Sequence, residues 1–280
     1  MALEHGARRP SLWSWALVIL AASMLATLLL SELKSSLVSN QASVPRWLEA
    51  VTSISTQWLS FFAPAWWLAH RDQLRSSTIF PLRRITVTEC LVLCLATIGL
   101  DHLTSAIQDI YSGIFHLYVE APDAFRILDL THGLMLLVDS SLTPGFVEEW
   151  LFRGYLLGIF LMRFSGPVAI VLTAACFTAF HFDLVGVPTY LISGIWFGWL
   201  RLQFGSLWPA ILAHALGNAM VLVYANSSIP THPALELGLG IPCFLFGLWW
   251  IPQRTLGRQQ ETDHSHEHGA IESRYERQAT

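Results

Sequence analysis

Apolar runs of about 20 residues recur along nearly the whole chain, and a helix needs about that length to cross a hydrocarbon core of roughly 30 Å. The first occupies 12–30, behind Arg8 and Arg9; others lie near 48–69, 88–111, 166–182, 187–203, 207–224 and 234–252. Composition agrees: of 280 residues, 53% are hydrophobic and only 13% charged, with a mean hydropathy of +0.48. A soluble domain is about a quarter charged, so the expected fold is an all-α, polytopic transmembrane bundle of about eight spans. The pair Arg8-Arg9 resembles a twin-arginine signal, but the run behind it is too long for a signal-peptide core and reads as an uncleaved first span.

One stretch does not fit that count. Residues 130–164 amount to 35 positions, about 52 Å as a single helix, against a core of roughly 30 Å. Thr143-Pro144-Gly145 is the expected break, because proline and glycine reset a backbone there. Helix four then begins near Phe146, and 130–142 becomes a short interfacial or re-entrant piece. With eight spans and the N-terminus inside, the inner segments hold Arg8, Arg9, Arg71, Arg75, Arg83, Arg84, Arg163, Arg201, Arg254 and Arg258, and the outer loops only Lys34, Arg46 and Arg126. That asymmetry puts both termini in the cytoplasm of a cell-membrane protein. The organisation expected is helices one to three over 1–127, a catalytic core over 128–252, and a disordered polar tail over 253–280. Cys90, Cys94, Cys176 and Cys243 all fall in apolar spans and read as small hydrophobes. Alternating His264, His266 and His268 belong to a solvated acidic tail, and no basic face suggests a nucleic-acid partner.

Charge inside the apolar runs is what points to chemistry. Glu148, Glu149 and Arg153 sit at the start of an otherwise lipid-like helix, and ionisable groups at membrane depth are costly unless paired or hydrated. Glu149 and Arg153 are four apart, within ion-pair reach on one face. Glu148 is turned away by about 100° and is left free to face a cavity. A charge-paired helix cap is the plainer alternative, but a cap needs one acid rather than two plus an arginine. Farther on, His181 closes the fifth span, and His214 and Asn218 share one face of the seventh. Either histidine alone suits a helix–helix hydrogen bond equally well; the six together suit hydrolysis. A carboxylate partly withdrawn from water acts as a general base on a water, imidazoles orient it, and an imidazole with an amide stabilises an oxyanion. Depth counting places Glu148 and His181 at one level and His214 nearer the midplane. Asp101, His102 and Asp109 in the third span line a cavity or face water at a helix end. Gly194 and Gly198 give the sixth span a face for close helix contact.

The pattern Glu-Glu-x-x-x-Arg, then Phe-x-x-x-His, then His-x-x-x-Asn stands here as Glu148 to Arg153, Phe177 to His181 and His214 to Asn218. In these three motifs, over roughly 130–225, the chain resembles the CPBP intramembrane proteases, which include the type II CAAX prenyl endopeptidases and the Abi and bacteriocin-immunity relatives. The resemblance implies an endopeptidase acting on a membrane-associated protein or peptide. In it Glu148 activates water, His181 positions that water, Glu149 is held by Arg153, and His214 and Asn218 stabilise the oxyanion. It leaves the cofactor open between none and zinc, the latter held by Glu148, His181 and His214. A non-catalytic immunity or scaffold protein is the second class considered. A proton-coupled transporter is the third, for which internal inverted repeats would be the mark and none are evident.

Overall fold

A computed structural model describes residues 45–117, 125–227 and 232–278, with side chains through Thr255 in the last stretch. The expected first span lies outside these residues. Among them there are no strands and eight helices. The first, α1, joins Arg46–Gln57, a π-helical turn at Trp58–Phe62 and Ala63–Arg71 without a break. A short α2 (Ser76–Ile79) leads to α3 (Val87–Phe115). The fourth, α4, runs through Leu130–Leu137, Val138–Leu142, Thr143–Glu149, Trp150–Leu156 and Leu157–Phe160. Then follow α5 (Gly166–Phe180), α6 (Val187–Phe204), α7 (Trp208–Asn226) and α8 (Pro233–Gln278).

The expected break at Thr143-Pro144-Gly145 does not occur. Helix α4 is continuous from Leu130 to Phe160, with Leu142 at φ −70°, ψ −42° and Thr143 at φ −64°, ψ −56°. The reason is the π-helical turn at Val138–Leu142. Proline in an α-helix clashes with the carbonyl four residues back, here that of Ser140, which lies inside the wider turn. Helix α1 repeats the device: its π turn, Trp58–Phe62, ends two residues before Pro64 just as the other ends two before Pro144. Residues 130–142 are therefore the first part of one long helix, not a separate interfacial piece. At the other end of the chain, the backbone of α8 stays helical to Gln278, where a disordered tail from 253 was expected. Glutamine, glutamate and arginine there are good helix formers.

The helices alternate in direction between two ends. Arg201 of α6 bonds the Thr78 carbonyl of α2, Leu207 N bonds the Pro81 carbonyl, and Thr255 of α8 meets Gln203 of α6, gathering one end. At the other end Arg46 pairs with Asp129, and Asn226 of α7 bonds the backbone of Phe125 and Ile127. Three helices are long and apolar enough to cross a membrane by length and composition, Val87–Phe115, Trp208–Asn226 and Pro233–Thr255, with Gly166–Phe180 apolar but shorter. The described residues thus form an all-helical bundle with three candidate membrane spans, and the eight spans expected are not established.

Small residues set the helix spacing. Gly194 and Gly198 of α6 pack on Ala174 and Ile170 of α5, as their spacing suggested. Gly145 of α4 lies against Ala215 of α7, where Ser141 Oγ also bonds the Ala215 carbonyl at 2.6 Å. On α3, a Cβ at Gly99 would stand 2.7 Å from both Cys243 Cβ and the Phe244 backbone nitrogen of α8. Gly113 of the same helix has nothing within 4 Å. The same substitution should therefore have opposite signs at the two sites. Gly99→Ala is expected to lower stability by about 1–3 kcal/mol through overpacking, and Gly113→Ala to raise it by up to about 1 kcal/mol through helix propensity; thermal unfolding of the purified protein checks both.

Candidate active site

The site is built around the middle of α4, where a second π-helical turn, Trp150–Leu156, carries the Glu-Glu-x-x-x-Arg segment. Single π turns in long helices are frequent at functional sites. Because α4 starts at Leu130, Glu148 and Glu149 sit deep in a helix and not in its first turns, as had been expected. Arg153 and Glu149 are both fully buried, and the Arg153 NH1 group donates to Glu149 Oε1 at 2.6 Å. Its NH2 group donates to the Gly194 carbonyl of α6 at 3.1 Å. The guanidinium also lies 4.4 Å from the Phe177 ring centroid and 5.1 Å from that of Phe197. A buried ion pair is tolerated only with such geometry and extra donors and acceptors, and the two aromatic faces add cation–π attraction.

Glu149 Oε1 has a second partner. His214 Nδ1 lies 2.9 Å from it, bringing α7 against α4. The resulting level match removes the depth discrepancy between His214 and the carboxylates. A carboxylate engaged by arginine can only accept here, so the hydrogen-bond pattern assigns the proton of His214 to Nδ1. Its Nε2 then faces Glu148, whose Oε2 is 4.0 Å away. That oxygen is buried and has no hydrogen-bond partner among the described residues. At 4.0 Å the two atoms are too far apart for a direct bond and suitably placed for a bridging water. The ring of His214 stacks on Phe197 and meets Phe177 edge-on, which fixes its plane.

His181 is held in a parallel way from α5. Its Nδ1 is 2.8 Å from the Phe177 carbonyl, an obligatory acceptor, so Nδ1 again carries the proton and Nε2 is left available. Its ring stacks on Tyr190 of α6 with centroids 3.9 Å apart. Tyr190 donates its hydroxyl to Asp183 Oδ2 at 3.1 Å, and Asp183 Oδ1 accepts from the Val185 backbone at 2.9 Å. The connection between α5 and α6 is thereby shaped around the histidine.

His181, His214 and Asn218 line one cavity of about 420 Å³, together with Phe177, Tyr190 and Phe197. Asp101, Phe125 and Asp183 line it toward the end where Arg46 meets Asp129. Of the acidic and basic groups of α3, then, Asp101 does face the cavity, His102 turns to the Tyr224 hydroxyl at 3.3 Å, and Asp109 is exposed. Glu148 stands beside His214 rather than among the lining residues. No group of three or more His, Cys, Asp or Glu side chains is arranged to hold a metal ion among the described residues. The bond between Glu149 and His214, the Gly194 carbonyl and the Tyr190–Asp183 support have no counterpart in the sequence reading. Gly194 had drawn attention as a packing residue, the only signal that α6 approaches so closely.

The buried network makes a stability prediction. Arg153→Met leaves Glu149 buried without its main counter-charge, and a loss of about 3–5 kcal/mol is expected. The double variant Arg153→Met with Glu149→Leu should recover part of that loss in thermal unfolding.

No curated protein and no solved structure matches the chain. The family model described as "Type II CAAX prenyl endopeptidase Rce1-like" matches residues 130–220, the stretch that holds all six of Glu148, Glu149, Arg153, His181, His214 and Asn218. Over these residues the chain is similar to that family, in the same stretch that carries the three motifs.

Proposed function

We propose that the protein is an intramembrane endopeptidase that hydrolyses a peptide bond of a membrane-associated protein or peptide with a water activated by Glu148. The observation that carries this reading is the 4.0 Å gap between Glu148 Oε2 and His214 Nε2, with the opposite edge of the imidazole fixed by Glu149. Glu148 takes a proton from the water as its oxygen bonds to the scissile carbonyl carbon. His181, presenting Nε2 to the cavity, positions that water. The Asn218 amide donates toward the developing oxyanion, and His214, its Nδ1–H bonded to Glu149, accepts from the water at Nε2 and so helps to aim it. Collapse of the tetrahedral species breaks the carbon–nitrogen bond, and the proton taken by Glu148 ends on the leaving amine. Arg153 reacts with nothing; it holds Glu149, which holds His214. Every step uses side chains alone, and the similarity of residues 130–220 to the prenyl endopeptidase family model supports the reaction class.

Orientation follows from charge. Arg71, Arg75, Arg83, Arg84, Arg163, Arg201 and Arg254 lie at one end of the bundle, and Arg46 and Arg126 at the other. The arginine-rich end is the cytoplasmic one by the bias of basic residues toward that side, and both termini lie there in this reading. The cavity, lined by Phe125, Asp183 and Val185, opens at the opposite end. The substrate is thus a membrane-associated segment offered from the non-cytoplasmic face.

Two outcomes are expected. Cleavage of a broad peptide library should fall at least about 100-fold in Glu148→Gln, and by about 100- to 1000-fold in Asn218→Ala, with the fold retained; cleavage by Glu148→Gln at the wild-type rate would remove Glu148 as the base. In a variant stripped of its four cysteines, Val185→Cys should react with a membrane-impermeant maleimide on intact cells. Arg84→Cys should react only after permeabilisation, and the reverse pattern would contradict the orientation.

A further inference from the structure

The arginine-rich end contains a second polar feature that the proposed chemistry does not use. Arg201, in the last turn of α6, is only 7% exposed. Of its five N–H donors, one bonds the Thr78 carbonyl at 3.2 Å, and its buried Nε has no partner. One helical turn on, Gly205 takes a left-handed conformation at φ +56°, and the Arg83 guanidinium lies over it, with NH1 3.5 Å from where a Cβ would stand. Arg83 is fastened there by its backbone: Ser206 Oγ donates to its carbonyl at 2.8 Å, and Leu207 N to that of Pro81 at 2.8 Å. Arg83 is thus held over the C-terminal end of α6, the helix whose last turn carries Arg201. No carboxylate lies within 4.0 Å of either among the described residues.

Burying a guanidinium beside a like charge is unfavourable unless an anion joins them. The carbonyl end of α6 compensates only in part, because a helix terminus carries a partial charge. Guanidinium groups recognise phosphate oxygens through paired N–H donors. The site sits where the bundle's basic end meets exposed apolar side chains, with Leu82 45% and Val87 77% exposed on either side of Arg83 and Arg84. Basic pockets between helices at that level bind anionic head groups. From these observations we propose that Arg83 and Arg201 form a binding site for the phosphate of an anionic phospholipid. The site is independent of the peptidase reading and stands or falls separately.

The test uses the full-length protein in neutral detergent, with thermal unfolding followed as lipid is added in mixed micelles. Phosphatidylglycerol should raise the melting temperature saturably, phosphatidylcholine should not, and the rise should be lost in Arg201→Gln and in Arg83→Gln. Arg83 is exposed, so its variant carries the test even if Arg201→Gln folds poorly. An equal rise with phosphatidylcholine, or a phosphatidylglycerol response unchanged in Arg83→Gln, would overturn the site. Inorganic phosphate reproducing the whole effect would overturn the lipid as its source.

Discussion

Burial of Arg153 is the constraint from which the rest of the core follows. A guanidinium with no exposed surface in a membrane bundle has to be neutralised, hydrogen-bonded and faced with polarisable groups at once. Glu149 supplies the charge from the same helix, Gly194 a carbonyl from α6, and Phe177 and Phe197 their ring faces from α5 and α6. Each of those demands a close approach. A side chain at Gly194 would contact both Ala174 and the Arg153 NH2 group at 3.0–3.4 Å, so the glycine that lets α6 reach α5 also exposes the carbonyl that Arg153 needs. The ion pair is less a source of stability than a device that fixes four helices relative to one another.

That device is also what aims the site. Glu149 Oε1 accepts from Arg153 and from His214 at the same time, so the orientation of the imidazole is inherited from the arginine on the adjoining helix α4. Glu148, one residue earlier, is directed by the helix toward the other nitrogen of the same ring. The adjacent acids thus have separate surroundings, one locked in the buried ion pair and the other, in the proposed reaction, left to the water. Their spacing in sequence is what makes both reachable from a single imidazole.

Much of this was legible beforehand. The five apolar runs that became α3, α5, α6, α7 and α8 stood out by length and hydropathy, and their ends fall within a few residues of the expected ones, α8 apart. The Glu149–Arg153 pair followed from helical periodicity, and the shared face of His214 and Asn218 likewise. What was not legible required knowing how the backbone accommodates proline. Pro144 reads as a helix breaker by every local rule, yet a π turn absorbs it, and the identical offset at Pro64 shows the same solution used twice. A wider turn leaves no mark in hydropathy, so the length of α4 and the depth of Glu148 within it were misjudged together. The Glu149–His214 contact spans 65 residues, and no local pattern encodes it. Tyr190 and Asp183 escaped notice for a related reason: neither is unusual where it stands, and their role appears only once α6 folds back over His181.

The central claim is that Glu149 sets the protonation pattern of His214 and so leaves Nε2 facing Glu148. Nitrogen chemical shifts of the His214 ring, in protein labelled at histidine and compared with a His214→Gln control for assignment, read that pattern directly. The account predicts a proton on Nδ1 in the wild type and a redistribution toward Nε2 in Glu149→Leu. A wild-type ring protonated on Nε2 alone, or one indifferent to the loss of Glu149, would contradict it.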